Sequence, residues 1–409
     1  MKDKKRISKK QKYLLLFFIA IGYSMALYMI SALIMAFEVT EVHLTLETFL
    51  SSWCKWDANH YKSIAIDGYK GVTEICNTCR EAKLATGISS NFMEDGQHLC
   101  LVFFPLYPFA MRCAHIIVED IRIAGMLISS LAYAGGCVYM YRLVRMDYSE
   151  KIARNSVILL SLFPFSFFFG GIMTEGLFFF VSAATLYYVR RHKWWAAVLF
   201  GILATMTRMQ GSLLIVPAII ELLMTYRPLD SLKTKNYSNL KEMIKKGLFL
   251  PFMFIGIGIY LYINWKVEGD PLTFMIYQKA HWQQGICLPT HTLTYIFRNA
   301  FSSNYNIQMR VSLWIPQAVL FIVSVIILIY GAKRLRKCLF GYGVVYVLLT
   351  YSATWLLSAG RYISCGIPLF IGMSLATEKR TWLMKSLAIL FSMLQIVYLC
   401  GFFNNLQIM

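Results

Sequence analysis

The stretch SSWCKWDANHYKSIAIDGY, Ser51 to Tyr69, puts Asp57, Asn59 and His60 within four residues and fences them with Trp53, Trp56, Tyr61 and Tyr69. An acid, an amide and an imidazole that close can pair with a charge, hold a cation or handle a proton. Three more ionisable residues interrupt apolar runs: Glu175 in FGGIMTEGLFFF, Arg208 in TMTRMQG and Arg361 in LLSAGRYISCGIP. Buried charge is costly, so three such residues at one level predict a polar cavity. Taken singly, the two arginines could snorkel to head groups and Glu175 could pair with one of them. The Cys76-x-x-Cys79 pair has zinc or redox spacing, but no second Cys or His pair follows at ligand distance, so no metal site is expected.

What positions these residues is a membrane. Of 409 residues, 58% are hydrophobic and 15% charged, too little charge for a soluble surface of this size. Apolar runs recur at the length that crosses a hydrocarbon core of about 30 Å. Eleven spans are predicted: Tyr13–Phe37, Ile121–Tyr141, Ile152–Phe169, Glu175–Val189, Trp194–Thr207, Gly211–Tyr226, Gly247–Trp265, Val311–Gly331, Cys338–Leu356, Tyr362–Ala376 and Leu383–Phe403. Lipid leaves open sheet edges unsatisfied, so the fold class is an all-α multi-span bundle in a single domain, residues 1–409. The first run follows a basic head and lacks a small-residue cleavage site, which reads as a retained span.

Alternating from a cytoplasmic N-terminus places 27 of the 40 Lys and Arg in inner segments, as the positive-inside rule requires. The net charge of +19 therefore suits anionic membrane lipids better than nucleic acid. Leu101–Val118 contains Pro105, Pro108, Arg112 and His115 and is read as an outer-face or re-entrant element, because counting it as a span would invert every later loop. Two long outer loops remain, 38–120 and 266–310. In the first, Asp57, Tyr61, Ile64, Ala65 and Gly68 form one stripe of an interfacial helix, putting Asp57 on its apolar side. Asp57 there could cap the helix, pair with Lys55 or Lys62, or serve in catalysis.

WDANHYKSIAIDGY resembles the W-D-x-x-H-[FY]-x-x-I-A-x-x-G-Y signature of the GPI mannosyltransferase 2 (PIG-V) family and its bacterial relatives. FFPLYPFAMR is similar to the family's next element, the Glu175–Arg208 block to its central one, and SAGRYISCGIPLF to its late R-Y element; QKAHWQQG is a looser match. The resemblance implies a GT-C glycosyltransferase using a polyprenyl-phosphate sugar, typically mannose, on the face opposite the cytoplasm. It implies Asp57 as the base that deprotonates the acceptor, with one-step displacement inverting the sugar. Arg208 or Arg361 would clamp the departing phosphate, His60 would orient Asp57 or meet the acceptor, and Glu175 would bind sugar hydroxyls. Trp56, Tyr61 and Tyr362 join the substrate-binding set.

No cofactor is implied beyond the polyprenyl-phosphate donor, and divalent metal dependence stays open. The expected partners are membrane lipids, that donor and a lipid-linked or surface glycan acceptor. The location is a bacterial plasma membrane, or the endoplasmic reticulum membrane in a eukaryote. The segment Cys76–Cys100 departs from the family as an insertion, and a disulfide among Cys54, Cys76, Cys79 and Cys100 is expected on an exported face. The rival class is a transporter or flippase for a lipid-linked or small anionic solute, which also needs buried charge, though at the midplane and between paired broken helices. The orientation predicts that Lys235→Cys in intact cells resists an impermeant thiol reagent in a background lacking native outer cysteines; external labelling would reverse it.

Overall fold

The computed structural model describes residues 8–38, 43–70, 98–235 and 237–408. Among these, structure is helical almost throughout, with one isolated antiparallel bridge between Ile286 and Ala353. Every predicted span contains a helix, so the all-α membrane class stands, but the lengths divide into two groups. Six helical stretches are long and apolar enough to cross a membrane: Lys9–Phe37, Ile121–Val144, Met209–Lys233, Ser238–Glu268, Ile307–Gly331 and Thr381–Phe403. The other five runs form the shorter helices Glu150–Leu162, Glu175–Arg190, Trp194–Thr207, Lys337–Thr350 and Ile367–Ala376.

The short helices correct the expectation of eleven full spans, and their ends give the reason. Glu175–Arg190 has 16 residues and Trp194–Thr207 has 14. At 1.5 Å per residue they reach only about 24 and 21 Å, short of a core of about 30 Å. Arg190 and Lys193 stand at one end of this helix pair and Glu175 and Arg208 at the other, so a bilayer surface drawn at the basic end would leave the latter two short of the opposite one. The run Ile152–Phe169 likewise stops as a helix at Leu162, before Pro164, and continues as a 3₁₀ turn over Ser166–Phe169.

The described residues 43–70 lie against the truncated end. A capping box starts the helix Leu46–Trp53, with Thr45 and Thr48 each accepting the other's backbone N–H. Arg122 ties this helix to the next span by donating to both Glu47 carboxylate oxygens at 2.6 Å and to Asp120 at 2.6 Å. Trp53 is buried among Tyr28, Phe402 and Phe403. Lys55 donates to the Phe402 carbonyl at 2.9 Å and to Asn405 Oδ1 at 2.7 Å, closing the C-terminus of the last helix. The chain then turns through Trp56 at a φ of +50° and enters the helix Asp57–Asp67. Arg112, on the helix Leu106–His115, caps its far end through the Ala65 and Ile66 carbonyls.

Basic turns crowd the opposite end, and not all of them face lipid as their composition suggests. Glu221, wholly buried, draws Arg190 to 2.5 Å, Arg336 to 3.1 Å and His192 to 3.2 Å, while Arg190 also holds Asp147 at 2.5 Å. These contacts bind the ends of three helices together. Glu221→Leu should therefore leave Arg190 buried and half-paired, lowering stability by about 3 kcal/mol. Thermal unfolding in detergent reads this, and an unchanged midpoint would show that the cluster holds nothing.

Candidate functional site

Asp57, Arg361, Glu175 and Arg208, each on a different element, form a chain of alternating charge. Arg361 Nη1 lies 3.0 Å from Asp57 Oδ2, and Arg361 Nε donates to Glu175 Oε1 at 2.7 Å. Arg208 Nη1 donates to the same Glu175 oxygen at 3.1 Å. Glu175 is fully buried and the Arg361 side chain is 4% exposed, whereas Asp57 is 29% exposed. The chain thus runs from the interior to an open carboxylate.

The guanidiniums are also seated on rings. Arg361 lies over Phe168 at 5.1 Å, and Arg208 over Tyr362 at 4.8 Å, contacts that help offset lost hydration. The third Arg361 nitrogen, Nη2, meets Met173 Sδ at 3.3 Å. Every nitrogen of Arg361 is engaged, while Arg208 Nη2 and Nε have no acceptor among the described residues.

Close backbone approach brings the charged residues together. Beside Glu175, a Cβ on Gly176 would stand 2.6 Å from the Ser129 carbonyl oxygen, so only glycine lets this helix begin against the neighbouring span. Beside Arg361, a Cβ on Gly360 would press into the Phe165 ring at 2.6 Å. Arg208 sits where its helix breaks into extended backbone, at φ −157° and ψ 153°, which turns the side chain back toward Glu175. Glu175 heads its own helix, where the dipole favours negative charge.

Of the local partners considered for Asp57, neither lysine is used: Lys55 caps the last helix, and the carboxylate pairs with Arg361. Nor is Asp57 a side-chain cap, since it opens its helix after Trp56 with no capping bond. Glu175, read singly as a partner for one arginine, binds both. His60 stacks on Phe103 at 4.5 Å and meets the Trp282 edge at 6.0 Å. Its Nδ1 is buried without a partner, as are Glu175 Oε2 and Thr174 Oγ1. Tyr61 is buried against Phe103 and Tyr107, and Trp56 packs on Phe402 at 5.3 Å. Tyr362 forms the shelf under Arg208. Cys54 donates to Asn59 Oδ1 at 3.5 Å, and Cys76 and Cys79, on which the disulfide expectation turns, lie outside the described residues.

Sequence reasoning passed over Phe168, Met173, Phe103 and Trp282 as site residues. The last two stand in quoted motifs, FFPLYPF and QKAHWQQG, where their aromatic character was the available signal. Trp282 is brought in by a clasp between the segment that follows it and the segment before Arg361. Gly285 N–H donates to Thr354 Oγ1 at 2.8 Å, Thr354 N–H to the Gly285 carbonyl at 2.9 Å, and Cys287 N–H to the Ser352 carbonyl at 2.8 Å.

Residues 104–240 match the family model described as dolichyl-phosphate-mannose-protein mannosyltransferase, which takes in Glu175 and Arg208 but neither Asp57 nor Arg361. This is a GT-C glycosyltransferase family, the coarser class to which the sequence resemblance points. The narrower resemblance, to GPI mannosyltransferase 2, has no counterpart in the matches. A similar solved structure is that of ArnT from Cupriavidus metallidurans bound to undecaprenyl phosphate, at 15% identity and a TM-score of 0.48, over 89% of this chain and 60% of that one. The chain thus spans less than two thirds of that protein's length. No curated protein matches.

Burial holds the His60 imidazole below its usual value near 6.5, with the Asp57 charge opposing more weakly. A depressed histidine keeps its stabilising contribution above the unfolded value and loses it as pH falls, because the unfolded chain takes the proton first. The melting temperature should therefore drop more steeply from pH 7 to pH 5 in the wild type than in His60→Gln. Identical slopes would remove His60 as the source.

Proposed function

We propose that this chain is a membrane glycosyltransferase that moves a sugar, most simply mannose, from a polyprenyl-phosphate donor to a lipid-linked or cell-surface acceptor, with inversion. The observation that carries this reading is the charge chain Asp57–Arg361–Glu175–Arg208, recessed at the end of the bundle away from the basic turns. A soluble donor has no need of a site sunk between short helices. A donor whose phosphate is tethered to a hydrocarbon chain reaches such a depth from the bilayer itself.

The four groups divide the chemistry. Asp57 Oδ2 is held by Arg361, leaving Oδ1, which has no partner among the described residues, to accept the proton of the acceptor hydroxyl. As that oxygen bonds to C1 of the sugar, the bond from C1 to the lipid phosphate breaks on the opposite face, inverting the centre. The leaving phosphate gathers negative charge, and Arg208, with two nitrogens open, is the group to receive it. Arg361 is a positioning residue, since every nitrogen is already engaged. Glu175 is reassigned from sugar binding to holding both arginines. His60, Phe103 and Trp282 form an aromatic wall near the acceptor side.

The test uses purified protein, a radiolabelled polyprenyl-phosphate sugar and crude acceptor lipids. Asp57→Asn should fold and still bind donor, yet turn over roughly 10²–10⁴-fold more slowly, the usual share of a positioned general base. Arg208→Gln should instead weaken donor binding by about ten- to a hundredfold, the worth of a charge-assisted hydrogen bond. Near wild-type transfer by a well-folded Asp57→Asn protein would remove the assignment, and solute movement without transfer would favour a transporter.

A further inference from the structure

At the basic end of the bundle, far from the charge chain, the helices Lys9–Glu38 and Ile121–Val144 leave a groove of about 290 Å³ between them. Tyr13, Leu14 and Phe17 form one wall and Val138 and Tyr139 the other, with Lys10 at the end. Leu14 is 56% exposed, so the groove opens sideways toward the bilayer. Its deeper wall is braced. Tyr139 shares a hydrogen bond of 3.1 Å with Tyr188 and packs edge-on against Tyr187 at 5.6 Å. The Arg142 guanidinium lies over Tyr13, Tyr139 and Tyr187 at 5.4, 5.3 and 4.4 Å and donates to the Tyr187 hydroxyl at 2.8 Å. The groove is therefore preformed, with one cation set into its rim.

The second cation separates this groove from an ordinary lipid-facing surface. Lys12 is taken by Glu150 at 3.0 Å, but Lys10 is exposed and has no acidic partner among the described residues. We propose that the groove binds an anionic phospholipid of the leaflet at the basic end, an acyl chain lying along Leu14, Phe17 and Val138 and the phosphate meeting Lys10. A free anion would gain nothing from the hydrocarbon walls. A zwitterionic lipid would fill the walls yet bring its own cation to Lys10. This proposal is independent of glycosyl transfer.

Native mass spectrometry of the full-length protein, titrated with phosphatidylglycerol or phosphatidylcholine, tests it. Wild type should hold phosphatidylglycerol preferentially, and Lys10→Ala should weaken that lipid about fivefold, the worth of one cation near an anionic surface, while leaving phosphatidylcholine unchanged. Val138→Trp should fill the groove and reduce both lipids; if it does not fold, Leu14→Trp at its half-exposed position takes its place. Equal affinity of the wild type for the two lipids, no effect of Lys10→Ala, or undiminished lipid binding with the groove filled would each overturn the proposal. Effective competition by glycerol phosphate alone would do so too, since the walls would then play no part.

Discussion

One carboxylate oxygen, Glu175 Oε1, accepts from two arginines in a place water does not reach, and the architecture around it follows from that. An ion taken out of water costs several kcal/mol, recovered only when partners meet it at hydrogen-bond distance from directions that other atoms leave free. Here the partners come from the helix break after Thr207 and from the short helix Ala359–Ser364. The truncated helices, the glycines beside Glu175 and Arg361, and the ring seats under both guanidiniums are conditions for that meeting. Such a cluster is a poor source of stability compared with apolar packing of the same volume.

Asp57 depends on the same oxygen at one remove. Arg361 spans from Glu175 to Asp57, and the loop bearing Asp57 is braced independently by Trp53 among rings, by Lys55 on the last helix and by Arg112 at the helix end. Trp56 at positive φ is a strained entry into that helix, sustained because its neighbours on both sides are fixed. The open carboxylate is thus held by its own helix and by a buried arginine whose position is set elsewhere.

Much of this was legible in the sequence because charge in an apolar run is rare and carries its own warning. Asp57, Glu175, Arg208 and Arg361 stand out on that ground, and the cation distribution puts them at one end of the bundle. Pairing was not legible: that Lys55 turns away to cap a helix and Arg361 takes its place depends on contacts hundreds of residues apart. Helix length was misread where hydropathy continued past a break, as from Leu162 into the 3₁₀ turn at Phe169, since an apolar profile does not register Pro164 or a glycine turn. The inward-facing arginines at the basic end were hidden for a similar reason. Arg190 and Arg336 read as surface charge until Glu221, inside an apolar helix, is seen to draw them in.

Counting charge in the site bears on how a phosphate donor would be handled under the proposed reading. Two carboxylates face two guanidiniums, so the resting cluster carries no surplus cation, and an arriving phosphate competes with Glu175 for Arg208. Ground-state attraction therefore rests on the two Arg208 nitrogens that have no acceptor among the described residues. As the bond to the sugar breaks, charge builds on the phosphate and the balance at Arg208 tips toward it, while Glu175 keeps Arg361. Such a site favours the transition state over the bound donor, the differential on which rate enhancement rests. The clasp from Gly285 to Thr354 joins the chain after Trp282 to the chain leading to Arg361, so the aromatic wall and the arginine are tied through backbone hydrogen bonds.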